Sequence, residues 1–222
     1  MLNLLINTLS KFLAGVIITG LLVFLPAGTL AYYNGWLFMA VLFVPMLILG
    51  LILFFKNPEL LELRLKSKEN SAKQSSIVKL SGLLFLVGFI AGGLCYRFDM
   101  LIVPKALSYV AAAAFLCSYA LYAEVMRENV YLSRIIEVQE GQKVVDTGLY
   151  GIVRHPMYAA SVLMFLSMPL ILGSLISFLI FLGYPIIIAA RIKGEEEFLE
   201  RELQGYREYK NRVRYRMIPF IW

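Results

Sequence analysis

The residues best suited to chemistry stand at the two ends of the last apolar stretch of the chain. Before this stretch the sequence reads Arg154-His155-Pro156-Met157-Tyr158. Proline suits the first turn of a helix, so Arg154 and His155 are expected beside the unpaired backbone donors of a helix N-terminus. Such a position can bind a carboxylate or another anionic group. A plain structural role stays open, in which the arginine reaches lipid phosphates and the histidine caps the helix.

A second polar group follows the apolar stretch and consists of Arg191 and the acidic run 195–197. Arg191 and Glu195 are four residues apart, so they share one face of a helix. Acidic residues are unusual at a membrane surface where basic ones are expected, and they could hold a cationic ligand. The alternative is a solvated first helical turn, in which acidic side chains favour the helix dipole.

The apolar stretch between these two groups must position them. Residues 157–190 would form a helix of roughly 50 Å, far longer than a bilayer core of about 30 Å. Residues 172–174 (Leu-Gly-Ser) interrupt the stretch near its middle, and Pro169 and Pro185 can each kink a helix. The sequence therefore predicts a tight helical hairpin. A hairpin returns both polar groups to one side of the membrane, where a single site could use both.

The remaining sequence is typical of a membrane protein. It is 60% hydrophobic and 16% charged, whereas a soluble domain is about half apolar and a quarter charged. Four further runs of about twenty residues are long enough to span a bilayer: 12–30, 34–55, 77–96 and 102–125. Together with the hairpin they predict an all-α, polytopic transmembrane bundle of about five or six membrane helices.

Charge distribution predicts the orientation of this bundle. Loops rich in Lys and Arg stay in the cytoplasm. The segments with most basic residues are 56–76, 126–156 and 191–222. This places both polar groups and both termini on the cytoplasmic side. The tail should form a cytoplasmic amphipathic helix over 194–213, and the segment 126–156 should be irregular or short-stranded.

Several function classes are disfavoured. The net charge of +6 would suit nucleic acid, but the basic residues flank apolar runs, so no nucleic-acid partner is expected. Cys95 and Cys117 fall inside apolar runs, which disfavours a disulfide framework or a metal site. His155 is the single histidine, which excludes a multi-histidine metal site. No metal is expected.

The C-terminal part of the chain is similar to a known family. Five elements keep that family's order and spacing: 147–150, 153–158, 195–196, 206–209 and 213–219. Over residues 126–222 the sequence resembles the isoprenylcysteine carboxyl methyltransferases. It departs from the family pattern at Leu149, where proline is usual, and at Ala159 and Ala160, where glycine often occurs. These changes bear on packing and substrate shape.

The resemblance implies an integral membrane methyltransferase that uses S-adenosylmethionine, held by the hairpin and the tail without a Rossmann domain. The sequence fits, because it has no strand-linked G-x-G-x-x-G fingerprint. By resemblance, the cofactor-binding residues are His155, Pro156, Met157, Tyr158, Glu195 and Glu196. The catalytic residues are Arg191, which would approach the group to be methylated, and Arg154, which would support the pocket.

The resemblance also suggests the acceptor, a carboxylate on a lipidic or membrane-associated small molecule or peptide. Residues 126–222 would form the catalytic region, with 1–125 as supporting, lipid-facing helices. One alternative is a phospholipid or amine N-methyltransferase on the same scaffold, and another is a membrane reductase of related architecture. A membrane scaffold or transporter subunit is disfavoured, because no ionisable residue lies deep in the first three spans, where a transport path usually needs one.

Overall fold

The computed structural model describes residues 2–65, 72–133 and 135–222, and none of these residues forms a β-strand. The regular structure is helical. In chain order the helices are α1 (Leu2–Ala27), α2 (Tyr33–Lys56), α3 (Pro58–Leu65), α4 (Ala72–Arg97), α5 (Lys105–Glu128), α6 (Pro156–Ile171), α7 (Leu175–Phe181), α8 (Gly183–Glu202) and α9 (Tyr206–Arg212), with a short 3₁₀ turn at Gly148–Gly151 before α6.

Within the part of the chain that the structure describes, five helical segments are long and apolar enough to cross a bilayer: Leu2–Ala27, Tyr33–Lys56, Gln74–Arg97, Lys105–Glu128 and Leu175–Glu202. Helix α6 is a sixth, shorter apolar helix. The predicted all-α transmembrane bundle is therefore confirmed. The first span begins ten residues earlier than predicted, because the apolar residues before Lys11 continue the helix.

The interior of the bundle is apolar and largely aromatic. Phe38, Phe115 and Phe181 are fully buried in one cluster that joins α2, α5 and the hairpin. Outward-facing apolar side chains are common, and Ile186 is 73% exposed. A helix bundle surrounded by lipid has this pattern, because hydrocarbon solvates its outer face as well as the protein interior does.

The predicted hairpin is present. Helix α6 ends at Ile171, and Gly173 turns the chain with a φ of +79°, a conformation that glycine adopts without strain. The side chain of Ser174 then caps α7 by accepting a hydrogen bond from the Ser177 backbone N–H at 3.0 Å. The second arm comprises α7 and α8, with a break at Leu182.

Earlier helices supply polar partners to the hairpin turn. The Tyr32 hydroxyl donates to the carbonyl of Leu172. The amide of Asn34 donates to the carbonyl of Ile171 at 2.8 Å. Buried backbone groups are costly to leave unpaired, so these side chains stabilise the turn.

The structure corrects the predicted tail helix over 194–213. Helix α8 continues without a break from the hairpin to Glu202, because the charged residues simply extend its last turns. Gly205, at a φ of +84°, then redirects the chain into the short helix α9. The region 194–213 is therefore divided between the end of α8 and the short helix α9 instead of forming one helix.

The segment between α5 and α6 is irregular apart from the 3₁₀ turn, which agrees with the first of the two predicted alternatives. A turn is present at residues 140–141. Gly141 has a φ of +70°, and the backbone N–H of Gln142 donates to the carbonyl of Gln139 at 3.1 Å.

Candidate active site

Glu196 is the centre of a buried group of charges, which we call the Glu196 ion cluster. Arg154 donates to Glu196 Oε1 through Nε and Nη2, both at 2.7 Å, and His155 Nε2 lies 3.2 Å from the same oxygen. Arg216 Nε is 3.0 Å and Lys210 Nζ 3.7 Å from Oε2. The cluster joins the first residues of α6 to α8 and the tail, so the hairpin brings the two predicted polar groups together.

The cluster also fastens the tail over the start of α6. Arg154 Nη1 donates to the carbonyls of Val213 and Arg214, at 2.6 and 2.8 Å. The backbone N–H of His155 donates to the carbonyl of Arg216 at 2.7 Å. A tail carbonyl therefore occupies one of the backbone donors that were expected to be free beside Pro156. No cap hydrogen bond comes from the His155 side chain, which faces Glu196 instead.

The end of the tail forms its own tight turn. The backbone N–H groups of Arg216, Met217 and Ile218 all donate to the backbone oxygen of Trp222, at 2.9 to 3.0 Å. The Arg216 guanidinium lies 5.3 Å from the centre of the Trp222 indole ring, within the range of a cation–π contact. These contacts hold Arg216 where it reaches Glu196.

Glu195 takes part in a different set of contacts, which we call the Glu195 chain. The Tyr158 hydroxyl donates to Glu195 Oε2 at 2.5 Å and accepts from Arg191 Nε at 3.0 Å. Arg191 Nη1 is 3.4 Å from Oε1 of Gln74, on α4. Tyr158 is buried and Arg191 is only 9% exposed. Consecutive residues of a helix point about 100° apart, so the side chains of Glu195 and Glu196 lie in different surroundings.

A cleft lies between the hairpin, the tail and the irregular segment before α6. Its cavity volume is about 100 Å³. The whole space between its atoms, part of which is open solvent, is about 820 Å³. The predicted site residues that line it are Arg154, His155, Met157, Tyr158, Arg191 and Glu195. Pro156 and Glu196 lie behind this lining, at the start of α6 and in the ion cluster.

The opposite wall of the cleft includes side chains that the sequence had not indicated as site residues. They come from the irregular segment, the end of α8 and helix α9, and include Tyr131, Ile135, Leu199, Leu203, Tyr206 and Tyr209. Gln74, which contacts Arg191, was missed as well. A lone glutamine at the start of an apolar run carries no signal of its own, and its role depends on how α4 packs against α8.

Two buried tyrosines of α9 behave differently. The Tyr209 hydroxyl donates to the backbone carbonyl of Tyr150 at 2.8 Å. The Tyr206 hydroxyl has no hydrogen-bond partner within residues 2–65, 72–133 and 135–222. Burial raises the pKa of both tyrosines well above the ordinary value, so both hydroxyls are neutral at physiological pH.

The donor set of the cleft fits S-adenosylmethionine. That cofactor carries a positive sulfonium and amino group, a carboxylate, ribose hydroxyls and an adenine ring. Glu195 supplies a carboxylate, Arg154 and Arg191 supply cations, and Tyr206 supplies an unpaired neutral hydroxyl. No group of three or more His, Cys, Asp or Glu side chains in the described part of the chain could hold a metal ion.

Comparisons with known proteins agree with a membrane enzyme of this kind. Residues 100–205 match the model of the family described as Phospholipid methyltransferase. This range contains the first residues of α6 and also Glu195 and Glu196 of α8. It ends before α9, so the match does not include the tail residues of the ion cluster.

One relative belongs to a different class of enzyme, the sterol reductases. The chain is 30% identical over 90 residues to the Delta(14)-sterol reductase TM7SF2 of Mus musculus. The alignment covers 39% of this chain and 22% of the mouse protein, so the chain matches about a fifth of that relative's length. Together, the family match and the apolar helices support an integral membrane methyltransferase.

Proposed function

We propose that this chain is an integral membrane methyltransferase that uses S-adenosylmethionine to methylate a carboxylate on a lipidic or membrane-associated acceptor. The observation that carries the proposal is the Glu195 chain. It places an acid, a tyrosine hydroxyl and an arginine in series along one wall of the cleft. Such a wall can bind a cationic group at one end and an anionic group at the other.

Each end of the Glu195 chain has a proposed task. Glu195 binds the positively charged end of the cofactor, which supplies an electrophilic methyl group when bound. Arg191 orients the acceptor carboxylate, which is already ionised at neutral pH and needs no general base. Tyr158 joins the two and fixes their separation. The rate enhancement then comes from positioning and from a charge-matched, water-poor cleft.

The other predicted site residues shape the cofactor pocket. His155 and Met157 line it directly. Pro156 starts α6 and so sets the direction in which its neighbours point. Arg154 also lines the cleft, and Glu196 holds it in place from behind, through the ion cluster. We assign catalysis to residues 126–222 and the supporting role to 1–125, with Gln74 as a contribution from the supporting part.

A lipidic acceptor is favoured by a second, mostly apolar cavity. It lies among α1, α2, α3 and α5, and its volume is about 370 Å³. Arg64 is on its wall and also contacts the Met157 sulfur at 3.8 Å and the Ser133 carbonyl at 3.2 Å. An acyl or similar chain in this cavity would lie next to the cleft, with its polar end towards Met157. We place the cleft on the cytoplasmic side, following the basic loops.

Calorimetry on the detergent-purified chain tests the cofactor. S-adenosylmethionine should bind the wild type, and Glu195→Ala should weaken it by roughly tenfold, the effect of losing one charged contact. A nicotinamide dinucleotide, titrated in parallel, tests the reductase alternative raised by the mouse relative. Binding of the dinucleotide without binding of S-adenosylmethionine would overturn the proposal.

The phospholipid methyltransferase match favours a second candidate, methylation of a lipid amine on the same scaffold. The two candidates differ in their product. Membranes incubated with methyl-labelled cofactor should release the label in mild alkali if the product is a methyl ester. A product that is stable to alkali would show that the acceptor is an amine, for which Arg191 is a poor partner and a base is required.

A further inference from the structure

Tyr206 carries the buried polar group that the contacts within the described chain leave unexplained. It is the first residue of α9, directly after the left-handed Gly205, and only 4% of it is exposed. Its hydroxyl has no partner among the atoms of residues 2–65, 72–133 and 135–222. Buried polar groups in proteins are nearly always hydrogen-bonded, so this hydroxyl needs a partner from beyond the described residues.

The position of Tyr206 indicates where that partner comes from. Tyr206 lines the same cleft as Arg154, Tyr158 and Glu195. Burial raises its pKa most, and the charges that affect this pKa are those of Glu196, Glu195 and Arg154, in that order. Tyr206 therefore lies where the cleft, the ion cluster and the tail meet, and its buried hydroxyl is next to the residues that line the cleft.

The neighbouring Tyr209 shows that packing alone does not produce the unpaired state. Tyr209 lies on the same short helix and is equally buried, but its hydroxyl is satisfied by the Tyr150 carbonyl at 2.8 Å. The fold thus pairs one tyrosine hydroxyl of α9 and leaves the other unpaired beside the cleft.

We infer that the Tyr206 hydroxyl is a ligand-binding group that hydrogen-bonds an uncharged polar atom in the nucleoside part of the cofactor. The inference rests on the proposed function. The charged ends of the cofactor and acceptor already have charged partners in Glu195 and Arg191. A neutral hydroxyl, which can both donate and accept, suits a ribose hydroxyl or an adenine ring nitrogen.

The test compares Tyr206→Phe with Tyr209→Phe in the full-length, detergent-purified chain. Two ligands are titrated by calorimetry: S-adenosylhomocysteine, and 5′-methylthioadenosine, which has the nucleoside but no amino-acid part. Tyr206→Phe should weaken both ligands by about five- to tenfold, the effect of losing one hydrogen bond. Because the hydroxyl has no partner among the described residues, the thermal unfolding midpoint without ligand should not fall.

Tyr209→Phe is the matched control and should show the opposite order of effects. It removes a hydroxyl that bonds the backbone, so its main effect should be a lower unfolding midpoint without ligand. If both variants lower the midpoint equally and neither changes affinity, Tyr206 is only a packing residue and the inference is wrong.

Two other outcomes separate this inference from the proposed function. If Tyr206→Phe weakens S-adenosylhomocysteine but not 5′-methylthioadenosine, the contact is not with the nucleoside and the inference fails while the proposed function stands. If the wild-type chain binds neither ligand nor S-adenosylmethionine, the proposed function itself is overturned, and this inference with it.

Discussion

Glu195 and Glu196 are adjacent in the sequence but belong to two different regions of the structure. Glu196 is 2% exposed and is surrounded by cations from α6 and the tail. Glu195 faces the cleft, where its contact is the Tyr158 hydroxyl. Helix α8 thus holds the tail in place through Glu196 and lines the cleft with Glu195. Stability and ligand binding should therefore respond to different substitutions.

The largest effect is expected for Glu196→Gln, which removes the single carboxylate shared by several buried or half-buried cations. Removing one partner of a buried ion pair destabilises a protein by about 3–5 kcal/mol. The unfolding midpoint in detergent should therefore fall by roughly 6 °C or more, and the tail should become sensitive to limited proteolysis. A midpoint close to that of the wild type would show that the cluster does not hold the tail.

The next largest effect is expected for Arg191→Lys. Lysine keeps the charge but cannot orient a carboxylate through two parallel hydrogen bonds. Methyl transfer should fall by about a hundredfold, the size of effect seen when a transition-state donor is removed, while the affinity for S-adenosylhomocysteine changes little. A rate equal to that of the wild type would remove the role assigned to Arg191.

Glu195→Gln should have a smaller and more selective effect. Neutralising this carboxylate should weaken S-adenosylmethionine by about tenfold, because one charge-assisted contact is lost. The affinity for 5′-methylthioadenosine, which lacks the positive groups, should be unchanged. The unfolding midpoint should stay near the wild-type value, in contrast to Glu196→Gln. Equal destabilisation by the two variants would contradict the division of roles between the two acids.

The smallest effect is expected for Arg212→Ala, which breaks the ion pair with Asp146 on the molecular surface. The Arg212 side chain is 63% exposed, and exposed ion pairs contribute little, about 0.5 kcal/mol or less. Neither the unfolding midpoint nor the affinity for S-adenosylhomocysteine should change measurably. A large fall in either would mean that this surface pair also fastens the tail.

The hairpin could be predicted because the apolar stretch 157–190 is too long to cross a bilayer as a single helix. This excess length, together with the glycine and serine in the middle of the stretch, was enough to predict that Arg154 and Glu196 lie close together. The predicted boundaries were less accurate at the tail. The charged composition after residue 194 suggested a new helix, whereas the local conformation at Gly205 decides where the chain turns.

Other parts of the site lie beyond what the sequence signals. The tail is fastened largely through the carbonyls of residues such as Val213 and Arg216, and every residue has a carbonyl, so no side-chain pattern indicates these contacts. Gln74 reaches Arg191 from a helix more than a hundred residues earlier. The unpaired state of Tyr206 is a property of its packed surroundings, which single-sequence spacing does not encode.

The partners of the hairpin turn have a consequence for the way the protein is made. Tyr32 and Asn34 bond the carbonyls of Leu172 and Ile171, about 140 residues further along the chain. A ribosome makes the N-terminal part first, so helix α2 is synthesised well before the hairpin exists. The side-chain donors that the hairpin turn requires are thus made before the carbonyls that they bond.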